Sequence, residues 1–483
     1  MYLGIDLGST NLKAAIYDSN MRLIDRRSKP VRYIREQAFV EFDADEYVQT
    51  LIELLKEMLR ANRIHAVSQM AFTGQAESLI VLDQDGRPLM NGISWMDERS
   101  AAECEILGTQ FSLAECEAVT GQQAILPTWP ATKILWLQRN RPTVYHQAAH
   151  YLLLKDYVIY CLTGIMAADM SIATFSFYFD IYQKCYWKKM LDAIGITEAQ
   201  LPPLAEPCST VGTLRKQISD VLGLENTPRV NAGTLDHFAG MIGTGNTRSG
   251  GITLSTGTVM AMAVMADEPV PKSTGIAMHY GFQPNTYVML PVAESGGISL
   301  EWFKNNCMPN IGYDQINAVL SERARNQLLF LPYLVGTNAP EFDSGATGVF
   351  WGLRQEHDVY DMAYAVMEGV CFVLRKNCEA IADQGTKLES IIATGGGAKS
   401  PVWCQLQADI TGIPVRIPEE KESACLGAAI IAAVADGKYA TLDDAAELVS
   451  FSRQFIPHPT PELERKFHQF SALYKASVHL LDI

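Results

Sequence analysis

The chain has 483 residues, with 39 Lys or Arg against 54 Asp or Glu, a formal net charge of −15. Charged residues make up 19% and hydrophobic ones 48%, which excludes a disordered or fibrous chain. The acidic balance also argues against nonspecific nucleic-acid binding, which needs surplus Lys and Arg to neutralise phosphates. A chain of this length is long enough for about two to four domains, each with its own core.

In chain order, Met1 to Asp6 has no basic stretch and no long apolar run, so no signal peptide is expected. Leu3, Ile5 and Leu7 alternate with polar residues up to Gly8-Ser9-Thr10. Leu12, Ala14 and Ile16 then resume the alternation, which predicts a β-hairpin. Tyr47, Leu51, Leu54, Leu55 and Met58 give residues 45–60 a helical period. Strands are expected over 64–72, ending at Thr73-Gly74-Gln75, and over Leu79 to Leu82 before a turn at Asp83 to Gly86. Strands alternating with helices predict an α/β fold.

Five glycines between Gly240 and Gly251 mark a flexible boundary, dividing 1–245 from 246–483. Just beyond it, Ile252 and Leu254, then Ser255-Thr256-Gly257-Thr258, then Met260, Met262 and Val264 repeat the opening hairpin plan, as in a chain of two similar lobes. A strand at Ile391 to Ala393, a loop at Thr394 to Gly397 and a helix from about Pro401 follow. Ala424 to Ala435 is the longest apolar stretch. It is too short to span a bilayer and reads as a buried helix. Ten cysteines without a CxxC predict reduced, mostly buried thiols in a cytoplasmic protein with no membrane partner.

Several segments carry residues suited to chemistry. The turns Gly8-Ser9-Thr10-Asn11 and Ser255-Thr256-Gly257-Thr258 combine glycine with hydroxyls. Backbone N–H groups in such turns can converge on an anion, and Lys13 adds a charge beyond the first. Each turn alone is equally a plain hairpin; the pair points to a shared phosphate site. Asp6 beside the first turn is either a turn-stabilising residue or a carboxylate that meets phosphate through Mg²⁺. Gly395-Gly396-Gly397 costs backbone entropy, so something approaches the backbone there, and a flat ring such as adenine fits. Asp236, ahead of an expected helix, is either a helix cap or a general base. GxxxxGK[ST], an early GxGxxG, HExxH and GxSxG are all missing, which removes P-loop, Rossmann, zincin and serine-hydrolase readings.

Together these segments resemble the FGGY carbohydrate kinases over nearly the whole length. Gly4 to Lys13 is similar to the family's first phosphate hairpin. Lys155-Asp156-Tyr157, Leu162-Thr163-Gly164 and Asp169-Met170-Ser171 resemble its "KDY…LTG…TDxS" stretch. Lys133 to Leu137 is similar to the first family signature, from whose start Thr128 departs. Gly348 to Leu353, with Asp361, Met362, Ala365 and Glu368, matches the second, and residues 394–409 resemble the adenosine segment.

The resemblance implies two actin-like lobes of ribonuclease-H-like topology, with ATP and sugar meeting in the cleft between them. It implies ATP-dependent phosphorylation of a sugar hydroxyl, a homodimer, Asp236 as catalytic base and Asp6 as the Mg²⁺-side carboxylate. Ser9, Thr10, Asn11, Lys13, Gly257 and Thr258 would meet the triphosphate, and Gly395, Gly396, Gly397 and Ser400 the nucleotide. Gln75, Ala76, Glu77, Ser78, Trp95, Asp97, Asp236 and His237 would meet the sugar: amides and carboxylates suit hydroxyls, and an indole suits a C–H face.

The sugar loop is mixed. Gln75-Ala76-Glu77 replaces the Gln-Met-His of xylulose kinases and keeps the Glu, but not the Arg, of glycerol kinases. Trp95-Met96-Asp97-Glu98-Arg99 is similar to the Trp-x-Asp-x-Arg of pentulose kinases, and Gly336 to Pro340 departs from the family's Gly-Glu-Arg-x-Pro. The expected substrate is a neutral sugar, a ketopentose such as xylulose, with xylulose kinases nearest in pattern. A glycerol or polyol kinase and a non-catalytic actin-like ATPase are the alternatives.

Overall fold

The opening hairpin consists of β1 (Tyr2–Leu7) and β2 (Asn11–Tyr17), paired antiparallel with Asp6 opposite Lys13. It starts the chain of a computed structural model in which residues 1–269, 275–323, 325–420 and 422–481 are described. The chain folds as two units. The first comprises Met1–Thr247, Ala277–Val288 and Glu422–Val449; the second comprises Arg248–Ile276, Met289–Lys421 and Ser450–Ile483.

In the first unit, β3 (Leu23–Pro30), β4 (Gln69–Gly74), β5 (Thr210–Thr213) and β6 (Arg229–Leu235) complete a six-stranded sheet ordered β5-β6-β4-β1-β2-β3. Strands β1, β4 and β6 run parallel, with Asp6 opposite Thr73 and Thr73 opposite Thr234. Their carboxyl ends therefore finish at one level, the place where open α/β sheets bind ligands.

The helix expected over 45–60 runs over Ala44–Ala61. The Asp43 carboxylate caps it by accepting from the amides of Asp45 and Glu46. The strand expected from Ile64 starts only at Gln69. Arg63 takes a left-handed turn (φ 54°) and the Asn62 side-chain amide bonds back to the Met58 carbonyl, so 62–68 lead out of the helix instead of extending. Leu79–Leu82 is a strand as expected, in a second sheet between Ile93 and the His150–Leu153 strand. Asp83 organises its turn by accepting from the amides of Asp85 and Arg87, both at 2.9 Å.

The expected buried helix is Ser423–Ala435, and it packs in the first unit on β1 and on the Asp236–Gly243 helix. Glycines make that approach. A Cβ on Gly427 would lie 1.8 Å from the Ala239 carbonyl oxygen, one on Gly243 1.8 Å from that of Ser423, and one on Gly4 1.9 Å from that of Cys425. Gly240 and Gly243, expected to lend flexibility, are instead part of a helix.

The second unit repeats the plan. Strands β7 (Gly251–Thr256) and β8 (Met260–Ala266) form a hairpin, β7 pairs parallel with β9 (Ser390–Gly395), and β10 (Val415–Pro418) and β11 (Phe451–Phe455) follow. The order β8-β7-β9-β10-β11 matches β2-β1-β4-β6-β5, with an antiparallel last strand in both. The duplicated α/β plan is that of actin-like lobes. The ten cysteines form no disulfide; Cys116, Cys371, Cys378, Cys404 and Cys425 are buried, and Cys185 and Cys307 are exposed. Among the described residues no helix is long and apolar enough to cross a membrane.

Ala in place of Gly427 has better helix propensity by about 1 kcal/mol, but its methyl meets backbone, which cannot swing away, and overpacking costs about 1–3 kcal/mol. Gly427→Ala should lower Tm in a thermal melt. Gly108→Ala, on the Ala101–Gln110 helix with nothing within 4 Å, should leave Tm unchanged or raise it. The same outcome for both would contradict the packing role.

Candidate active site

Three parallel strands deliver the central residues. Asp6 is the penultimate residue of β1, Gln75 follows β4, and Asp236 follows β6 as the first residue of the Asp236–Gly243 helix. The registers that set Asp6 beside Thr73 and Thr73 beside Thr234 bring these ends together. Asp6 is buried and its Oδ1 has no hydrogen-bond partner among the described residues. Burial first, and then the charge of Asp236, raise its carboxyl from 3.8 to about 7, with Lys13 opposing. Asp236 is half-buried. Its Oδ1 accepts from the His237 amide at 2.6 Å, while Leu235 holds the cap position, and the His237 side chain is exposed.

Lys13, on β2, forms a 2.7 Å ion pair with Glu422, which stands just ahead of the Ser423–Ala435 helix. Burial works against the Lys13 charge, but the bond to Glu422 outweighs it and raises the ammonium. In the turn between β1 and β2, the side chains of Ser9, Thr10 and Asn11 make no hydrogen bond to other described residues. The turn itself is held by backbone: the Tyr47 hydroxyl donates to the Gly8 carbonyl (3.1 Å) and the Val31 amide to that of Thr10 (3.0 Å).

The two expected sugar loops meet at the start of the second sheet. The Trp95 amide donates to the Ser78 hydroxyl at 3.0 Å, and that hydroxyl donates to the Gln75 side-chain carbonyl at 3.1 Å. The Gln75 side-chain nitrogen is buried without a hydrogen-bond partner among the described residues. Fully buried Lys133 ties the loops together, donating to the carbonyls of Glu77 (3.0 Å) and Ser94 (2.8 Å). Glu77 adopts a left-handed backbone (φ 65°), and the Thr128 hydroxyl bonds to its carboxylate. Burial raises the Glu77 carboxyl and lowers the Lys133 ammonium, while each charge favours the other. Ala76 is half-buried in the same loop, and Trp95 is 39% exposed.

Asp97 behaves differently from the sugar contact expected of it. It is fully buried, and its carboxylate accepts from the Arg99 amide and guanidinium and, at 2.6 Å, from the Val40 amide. With four donors engaged it serves the loop's shape and offers no free oxygen to a sugar.

In the second unit, the pairing of Thr256 with Gly395 puts the turn at Gly257-Thr258 beside the glycine loop. Gly395 needs its left-handed backbone (φ 78°), and a Cβ on Gly397 would lie 2.7 Å from that of Thr256. The expectation that a ligand explains all three glycines is therefore revised: Thr256 is what approaches Gly397, whereas Gly395 and Gly396 stay exposed. Ser400 is mainly structural. Its hydroxyl accepts from the Trp403 amide, capping the Pro401–Thr411 helix, and bonds to Asn317.

Three residues here were not singled out from sequence. Glu422 carries no motif and reaches Lys13 across 409 positions. Lys133 lies in the first signature, but nothing in its neighbours announces two carbonyl partners 39 and 56 residues away. His279 is the third. The Gln122 side-chain nitrogen donates to the Thr174 carbonyl (3.1 Å), which fixes the amide's orientation, so that nitrogen also donates to His279 Nδ1 (3.2 Å) and leaves a proton on Nε2. Burial, then His237, press this imidazole down to about 3, keeping it neutral against the Phe175 ring. A cavity of about 600 Å³ in the second unit holds none of the site residues, and its Arg375 is already paired with Glu379 and Glu464.

Residues 1–243 match the N-terminal and residues 252–435 the C-terminal domain of the FGGY family of carbohydrate kinases. The chain is 30% identical to the xylulose kinase of Bacillus subtilis (strain 168), over 98% of this chain and 95% of that protein. It is 27% identical to the gluconokinase of Bacillus licheniformis, over 94% and 91%. Its fold is similar to that of a ligand-bound xylulose kinase from Lactobacillus acidophilus, with a TM-score of 0.90 and 25% identity over 100% of this chain and 98% of that one. Two family domains spanning most of the length, above carboxylates gathered at the ends of parallel strands, make the chain a member of the FGGY family of carbohydrate kinases, a phosphotransferase whose substrates are a sugar and ATP.

Proposed function

We propose that the chain transfers the γ-phosphoryl group of ATP to a hydroxyl of a neutral sugar, a ketopentose such as xylulose, with Asp236 as general base. The convergence of Asp6 and Asp236 at the ends of β1 and β6 carries this reading. Phosphoryl transfer asks a protein mainly for positioning and electrostatics. Asp236 orients the attacking hydroxyl and accepts its proton as the bond to phosphorus forms. Ser9, Thr10, Asn11 and Lys13 in the first unit suit phosphate oxygens, because their side chains are unspent or, for Lys13, held charged by Glu422. Gly257, Thr258, Gly395 and Gly396 in the second suit the nucleotide by their exposed backbone.

The Mg²⁺ that accompanies ATP as substrate fits beside Asp6. A buried carboxylate oxygen without a hydrogen-bond partner among the described residues, raised further by the charge of Asp236, is costly by itself and is relieved by a divalent cation. When bound, the ion supplies charge neutralisation on the phosphate oxygens.

The choice of sugar rests on two supports. Relatives named xylulose kinase match nearly the full length. The site is also rich in carboxylates, with Asp6, Glu77 and Asp236, which disfavours the carboxylate of an aldonate; relatives named gluconokinase make that acid the competing reading. A panel of ketopentoses, polyols and aldonates with coupled ADP detection tests it. A ketopentose should give the highest kcat/KM, and gluconate as best substrate would overturn the assignment. Asp236→Asn should lower kcat about 10²- to 10⁴-fold with little change in ATP affinity. Near-normal kcat would leave Asp236 only its bond to the His237 amide.

The raised Asp6 carboxyl makes a separate prediction. Between its ordinary 3.8 and its folded value of about 7, the folded chain holds a proton that the unfolded chain has released. Stability from protonated Asp6 is therefore lost as pH rises through that window. Asp6→Asn cannot ionise, so it should raise the Tm of the ligand-free protein more at about pH 8 than at about pH 5, while lowering activity. A gain no larger at the higher pH would contradict the repulsion.

A further inference from the structure

Strand β6 does not run straight to Asp236. Between Asn231 and Thr234 its register against β4 slips. Gly233 takes a left-handed backbone there (φ 66°), and a Cβ on it would lie 1.6 Å from the Phe72 carbonyl oxygen. A bulge of this kind re-aims whatever follows, and Asp236 is three residues on.

A buried ion pair grips the bulge and the residues that follow it. Lys155 and Asp169 have side chains with no exposed surface and lie 2.8 Å apart. Within the bulge, the Lys155 ammonium also donates to the Ala232 carbonyl. Downstream, Asp169 Oδ1 accepts from the Ser171 amide (2.9 Å) and hydroxyl (2.7 Å). A carboxylate only accepts, so the Ser171 hydroxyl spends its proton on Asp169. Its oxygen then accepts from the Thr234 hydroxyl (2.7 Å) and from the Leu235 amide (3.2 Å), the residue that caps the Asp236–Gly243 helix. Desolvation offsets most of the Coulomb gain of a buried pair, so such a pair adds little to stability. What it fixes here is direction.

We propose that Lys155, Asp169 and Ser171 form a clamp on the β6 bulge whose work is to aim the Asp236 carboxylate, making them positioning residues for phosphoryl transfer. This rests on the reading of Asp236 as base. Misplacement of a reacting group by about 1 Å costs up to about 10²-fold in rate.

Ser171→Ala removes one hydroxyl and leaves the ion pair intact, and Thr234→Val removes its partner at nearly constant volume. Both are to be measured in the full-length protein for kcat, KM for sugar, KM for ATP, and Tm, alone and combined with Asp236→Asn. The clamp requires each single variant to lower kcat by about 10- to 10²-fold with both KM values within about twofold. It also requires no further loss in the Asp236→Asn background, because an aim no longer matters once the base is gone. If Ser171→Ala does not fold, Thr234→Val carries the same test. Wild-type kcat in a folded variant, or an equal loss with and without Asp236, would overturn the clamp. A normal kcat for Asp236→Asn alone would instead overturn the base assignment.

Discussion

The site depends on how closely two helices and one strand can approach. The Asp236–Gly243 helix, the Ser423–Ala435 helix and β1 meet backbone to backbone at Gly243, Gly427 and Gly4, where no side chain larger than hydrogen fits. That contact seats Asp236 on one side and, through Glu422, the charged state of Lys13 on the other, with Asp6 between them in the electrostatics. A wider spacing would separate these groups, and no single loop could bring them back. Packing without voids and the chemistry of the site are thus set by the same few glycines.

Both units use one device: a hairpin followed by a parallel strand, with polar residues at the shared carboxyl ends. The two copies have diverged in what they place there. In the first unit the ends carry Asp6, Gln75 and Asp236, all acceptors or amides. In the second they carry Gly257, Thr258 and exposed glycines at 395 and 396, where backbone rather than side chain faces outward. Acidic ends suit a hydroxyl that must lose a proton. Bare backbone suits anions and flat rings, which need N–H groups and room.

Much of this was legible in the sequence because it is local. Alternation gave the hairpins, the apolar period gave the Ala44–Ala61 helix, and the small-residue run gave the Ser423–Ala435 helix. Asp236 and Asp6 stood out for their glycine-bearing neighbours. What stayed hidden depends on distance or saturation. The Glu422 bond to Lys13 and the Lys133 bonds to two loop carbonyls join residues far apart in the chain. Asp97 has the residue type of a sugar ligand, but its oxygens are occupied by Arg99 and Val40, and composition cannot reveal occupancy. The glycine triplet shows the same limit, since Thr256 rather than a ligand fills the space at Gly397.

The segment 422–449 belongs to the first unit although the chain leaves that unit after Thr247 and revisits it in between only for Ala277–Val288. During synthesis, the face of β1 and of the Asp236–Gly243 helix that the Ser423–Ala435 helix covers must wait for 188 further residues (435 − 247) to be made. At about 5–20 residues per second, that is a delay of roughly 10–40 seconds. Until then the backbone faces at Gly4 and Gly243 lie in a unit short of one of its helices, and such surface invites misassociation. The nascent chain therefore carries its exposed interval in its first half.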